Sequence, residues 1–187
     1  MRNQAGSSWV TKAVIFSLST TLAGMVSGFV LGWVGSLARL DIRLAFASLM
    51  SLAGIIIAIL ELSGWRIQLL QCNRETPQSW VHKGPIQWAI QNGLALGSGF
   101  ANRIGFWLWY AIPLGAFLVG STVFGALLYG IYGLVRGTMV WALIYGPAKK
   151  YGEELAERLI GYHKVARLIT TGQLLLLGIV VAIIIGF

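Results

Sequence analysis

Long apolar runs alternate with short polar stretches along this chain. A helix needs about 20 mostly apolar residues to cross a bilayer. Runs of that kind cover about residues 13–37, 44–63, 106–126, 128–147 and 167–187, and each predicts a membrane-spanning helix. The first run follows Lys12 and is longer than the roughly 7–15 apolar residues of a signal peptide. No small-x-small site follows it, so it reads as a retained span. The pattern is that of an all-α integral membrane protein, with residues 1–187 forming a single transmembrane domain.

Two other segments have helical spacing with a polar face. Over 151–163, Glu153, Glu154, Glu157 and Arg158 alternate with Leu155, Leu159 and Ile160. That fits a short amphipathic helix at the membrane surface, and fits a solvated connecting helix equally well. Over 86–102, Gln87, Trp88 and Gln91 fall three to four apart, and Pro85 suits a helix start. A polar span, a re-entrant half-helix and an interfacial helix all match this segment.

Loop charges bear on that choice. If 86–102 does not cross, five spans result, with eleven basic residues on one side against Arg39 and Arg43 on the other. Arg136 is then in the membrane. If it crosses, six spans divide the basic residues five against eight. The positive-inside rule favours the sharper asymmetry. The expectation is five spans, a cytoplasmic N-terminus and a re-entrant or interfacial 86–102, with six spans as the alternative.

Composition agrees with a membrane protein. Hydrophobic residues make up 57% of the chain and charged residues 11%, with mean hydropathy +0.75. A soluble domain carries about 25% charged residues, so here too little polar surface exists to cover a soluble globule. The net charge of +8 sits in short loops, where it sets topology and meets anionic headgroups. Membrane lipids are therefore the expected partners. No basic–aromatic platform for nucleic acid is present. Trp65, Trp80 and Arg103 suit the membrane interface.

Chemistry-bearing residues are few. Cys72 is the single cysteine, which excludes an internal disulfide or a dithiol relay. His82 and His163 have no companions at metal-ligand spacing. The six carboxylates form no pair for acid–base work, and Glu61 reads as interfacial at the end of the second span. No metal, cofactor or enzymatic activity is expected.

Two features stand out. Gly24, Gly28 and Gly32 line one helix face, and with Gly125 they suit close packing of helices, inside this fold or against another subunit. Arg136 is the only charge within 106–146. An arginine at mid-membrane costs about 2.5–3.5 kcal/mol and persists where it faces a polar cavity, an anion or backbone carbonyls. If the span ends at Leu134, it instead snorkels to a headgroup. Arg136, Gly133, Ser121 and Thr122 form a candidate polar route. TLAG at 21–24 is echoed by TVFG at 122–125, and paired glycine-interrupted spans are a mark of inverted-repeat transporters.

The block 88–137 contains LGxGxxxR (Leu96, Gly97, Gly99, Arg103) and GSxxxGAxxxxxYGLxR (Gly120, Ser121, Gly125, Ala126, Tyr132, Gly133, Leu134, Arg136). It resembles the cytochrome c biogenesis transmembrane proteins, the CcdA, DsbD and sulfite-exporter relatives. The resemblance implies a bacterial inner-membrane protein with two related three-helix halves around a central site, hence six spans. The membrane cysteine pair of the redox members has no counterpart here, which removes the thiol relay and leaves a transporter-like fold. The expected function is movement of a small solute or anion near Arg136. A second expectation is a non-catalytic accessory or assembly subunit of a larger membrane complex. It would dock on other membrane helices, or on a second copy, through its glycine faces and lipid.

Overall fold

The computed structural model describes residues 9–65, 84–99, 106–145 and 147–185. They form α1 (Trp9–Leu37), α2 (Leu40–Leu62), α3 (Pro85–Ser98), a 3-10 turn (Trp107–Tyr110) leading into α4 (Ala111–Val119), α5 (Thr122–Tyr145) and α6 (Pro147–Ile185). No strand occurs among the described residues. The protein is all-α. Val10–Leu37, Leu40–Leu62 and Val165–Ile185 are long and apolar enough to cross a membrane.

The burial pattern is the reverse of a soluble protein's. Buried positions include Ala47, Ala58, Ala89 and Ala116 with Ser19, Thr20, Ser51 and Thr171; Phe16 and Tyr129 are the large exceptions. Leucine, isoleucine, valine, phenylalanine and tryptophan side chains instead point outward along α1, α2, α5 and α6. Without water to drive helices together, lipid-embedded helices associate through small residues that let backbones approach. An apolar exterior over a small-residue interior is that arrangement.

α1 is the central post. Its stripe of Gly24, Gly28, Gly32 and Gly35 lies against α5 and the end of α4. A Cβ on Gly24 or Gly28 would meet the backbone at Tyr129 or Gly125, and one on Gly32 or Gly35 the backbone at Ser121 or Phe117. The descending partner numbers make α1 and α5 antiparallel. The TLAG/TVFG echo is in register across this pair, because Gly24 and Gly125 each face the position four residues beyond the other. On α1's other side, Gly93 meets Phe16 and Gly97 meets Thr20, so α3 runs parallel to α1 along its N-terminal half.

α2 leaves α1 after a two-residue link, and the two pack on different neighbours: α2 lies mainly against α6. Ser51 donates to the Gly178 carbonyl at 2.6 Å, and Glu61 meets Arg167 and Thr171 on the same helix. These pairings make α2 and α6 antiparallel. At the other end of α2, Arg43 donates to the Leu118 and Val119 carbonyls at 3.1 and 2.8 Å, closing the C-terminus of α4.

Several element boundaries differ from those the hydropathy pattern predicts. The break expected near 127 falls at Gly120, whose φ of 62° is left-handed backbone that ends α4. Ser121 then accepts the Phe124 N–H at the start of α5. The run expected over 106–126 is thus only Trp107–Val119, a short apolar element. Within the segment 86–102, the described helix α3 lies alongside the N-terminal half of α1. The expected separate elements 151–163 and 167–187 are one 39-residue helix. At 1.5 Å per residue it is about 58 Å long: no proline follows Pro147, and Gly161 and Gly172 on either side of Arg167 stay within the helix.

Candidate functional site

Tyr132 and Arg136 are one helical turn apart on α5, so their side chains share a face. The Arg136 guanidinium donates to the Tyr132 hydroxyl at 2.5 Å, and its Cζ lies 5.7 Å from the Tyr132 ring centroid. Both line a cavity of about 520 Å³ between α4, α5 and α6. Phe106, Leu108 and Trp109 from the 3-10 turn, Ala111 and Ile112 from α4, and Thr170 from α6 complete the wall.

The wall is mainly apolar, and its polar groups gather at one side. Thr170 donates its hydroxyl proton back to the Ala166 and Arg167 carbonyls, at 2.9 and 3.0 Å, which leaves its oxygen as an acceptor. Tyr132 accepts from Arg136, so its own O–H proton is available. The Trp109 indole N–H is buried and directed towards the Tyr132 hydroxyl. Among the described residues Arg136 has no carboxylate partner, and the ion pairs are Arg39 with Asp41 and Arg167 with Glu61. A guanidinium cannot lose its proton in a protein. The cavity therefore presents a permanent cation, the Tyr132 hydroxyl beside it and apolar walls.

Beside it stands the polar cluster of α2 and α6. Glu61, with only 7% of its side chain exposed, pairs with Arg167 at 2.6 Å and accepts from Thr171 at 2.8 Å. Thr171 follows Thr170, so the cluster braces the helix that forms the cavity's far wall. No three His, Cys, Asp or Glu side chains come together among the described residues in a way that would hold a metal.

Of the four residues of the predicted route, Arg136 lines the cavity. Gly133 instead faces Thr20 on α1, where a side chain would meet the backbone. Thr122 begins α5, about 21 Å from Arg136 at 1.5 Å per residue, and Ser121 immediately precedes it. Gly24, Gly28, Gly32 and Gly125 meet within the α1–α5 interface. Trp65 is exposed just beyond the end of α2. Trp80, Arg103 and Cys72 lie outside the described residues. Pattern reading missed Trp109, Ile112 and Thr170 as cavity residues, since nothing along the chain brings α4 and α6 together. It also missed the Glu61–Arg167 pair. Opposite charges at the polar ends of two apolar runs were its available signal.

Comparison with models of known protein families, with curated proteins and with solved structures gave no match. The resemblance to the cytochrome c biogenesis group rests on the quoted motifs alone. Fold and site together define a class: an all-helical chain with helices of membrane-spanning length and a half-open cleft on whose wall Arg136, among the described residues, has no carboxylate partner.

Proposed function

We propose that this is a small multi-pass membrane protein of transporter-like fold that moves a small solute or anion through the Arg136 cavity. The observation that carries this reading is an arginine on a cavity wall with no carboxylate among the described residues to neutralise it. Arg136 is half-buried; a charge partly withdrawn from water is costly unless compensated, and an anionic solute supplies that compensation.

The proposed topology has five passes. α1, α2, α5 and α6 are four, and α3 with α4 makes the third in chain order, as two half-helices. The support is geometric. α3 follows the N-terminal half of α1, and α4 ends beside Gly35 near the other end. The cavity opens beside the start of the second half-helix. Discontinuous helices and inverted helix pairs at a central site are recurrent in transporters. With this topology ten basic residues lie on the N-terminal side, which is the cytoplasmic side. Arg39 and Arg43 lie opposite, Arg103 between the half-helices and Arg136 in the membrane. An impermeant thiol reagent tests the orientation: labelling of Cys72 only from the outside overturns it.

The accessory-subunit reading has less behind it, because the Gly24–Gly28–Gly32 face it needs is covered by α5. Reproducible purification in mild detergent as part of a large complex would restore it. The direct test of transport is uptake of labelled phosphate, sulfate and short-chain carboxylates into liposomes containing the protein. Arg136→Leu is expected to abolish uptake. Undiminished uptake by that variant removes the route.

A further inference from the structure

We propose that the ligand of the Arg136 cavity is an amphipathic anion: one phosphate or carboxylate head on an apolar body. The inference rests on the cavity being a binding site, as above, and adds what the walls select. Five of its eight lining residues are apolar or mainly so: Phe106, Leu108, Trp109, Ala111 and Ile112. The three polar groups, Arg136, Tyr132 and Thr170, come from α5 and α6 alone. The cavity is thus divided, with a cationic side on α5 and α6 and an apolar side on the 3-10 turn and α4.

Size points the same way. At about 520 Å³ the cavity falls within the roughly 300–1,000 Å³ usual for organic ligands. A bare inorganic anion fills a small part of that and leaves the apolar wall either wetted or empty, both unfavourable. An organic anion satisfies both sides at once. Its head receives the free N–H groups of Arg136 and the Tyr132 O–H, in the charge-assisted geometry that favours guanidinium over ammonium. Its body covers Leu108, Ala111 and Ile112. The buried Trp109 N–H, directed towards the Tyr132 hydroxyl, stands at the border between the two sides.

The chemistry is shared by two sources, a membrane phospholipid and a free amphiphile. Binding to the full-length protein, purified in uncharged maltoside micelles at one fixed detergent concentration, separates the cases. The probes are octyl phosphate, inorganic phosphate and octyl glucoside. Octyl phosphate is expected to bind about tenfold or more tightly than either of the others. Arg136→Gln is expected to weaken it by a similar factor. Ala111→Phe fills the apolar side and is expected to weaken octyl phosphate while leaving Arg136 in place. Both variants are first checked for a single gel-filtration peak and unchanged helix content. Displacement of octyl phosphate by phosphatidylglycerol but not by phosphatidylcholine supports the proposal with a lipid source. Displacement by neither supports it with a soluble one. Equal displacement by both lipids overturns it, because the head charge is then not read. Arg136-dependent binding of inorganic phosphate as tight as that of octyl phosphate also overturns it, while leaving an anion site intact. Binding of none of the probes in an Arg136-dependent way removes the site itself.

Discussion

Gly28 on α1 and Gly125 on α5 face each other so closely that a methyl group on either would overlap the other's carbonyl. The obstacle is backbone, which cannot rotate away as a side chain can. Overpacking costs about 1–3 kcal/mol where neighbours yield, and here both helices must separate. Gly28→Leu is therefore expected to lose the folded protein, read as disappearance of the monodisperse peak in detergent. Gly172, with nothing within 4 Å of an added Cβ, is the control. Gly172→Ala is expected to raise the melting temperature slightly, since alanine favours a helix by up to about 1 kcal/mol over glycine.

Arg43 is a cap as well as a topology signal. Its guanidinium holds the Leu118 and Val119 carbonyls that α4 leaves unsatisfied. Hydrogen bonds to a charged group contribute about 1.5–3 kcal/mol. Arg43→Ala is expected to destabilise by that order and to raise amide hydrogen exchange in α4 before α2. Uniform exchange along both helices would show that the cap is not local.

The Glu61–Arg167 pair joins α2 to α6 beside the cavity. Removing one partner of a buried pair costs about 3–5 kcal/mol. Arg167 keeps 31% of its side chain exposed and can turn outward, which favours the lower end of that range. Glu61→Ala is expected to lower the melting temperature markedly, and Glu61→Ala with Arg167→Ala to recover part of the loss. Additive losses in this double-mutant cycle would deny the coupling.

Trp109 directs its buried N–H towards the Tyr132 hydroxyl at the cavity border. Trp109→Phe keeps an aromatic wall and removes that donor. Octyl phosphate affinity is expected to fall about two- to tenfold, the range of one hydrogen bond, with melting temperature nearly unchanged. Unaltered affinity places the anion away from this edge.

Hydropathy alone identified a helical membrane protein, because the need to satisfy every backbone group inside lipid leaves a long apolar run little choice but helix. It also marked Arg136, since a single charge in a long apolar stretch is conspicuous. The same signal misplaced the break between α4 and α5 by several residues. Ser121 and Thr122 are too brief a polar break to show in hydropathy, and the left-handed turn at Gly120, the Arg43 cap and the Ser121 bond to the Phe124 N–H set the break there. It left 86–102 undecided because the segment's polarity is intermediate. Packing of Gly93 and Gly97 against Phe16 and Thr20 sets that helix alongside α1.

The sequence by itself determined the helical class, the arginine and the glycine stripe, all properties of composition and of spacing within one helix. What the stripe touches, and what surrounds the arginine, depends on residues about 100 and 30 positions away along the chain. Only tertiary structure decided that Gly28 is spent against Gly125, that Ser121 and Thr122 stand far from Arg136, and that Trp109 and Thr170 close a cavity around it. The physical reason is that lipid-facing and partner-facing surfaces are equally apolar in a membrane, so hydropathy cannot tell which helix faces meet.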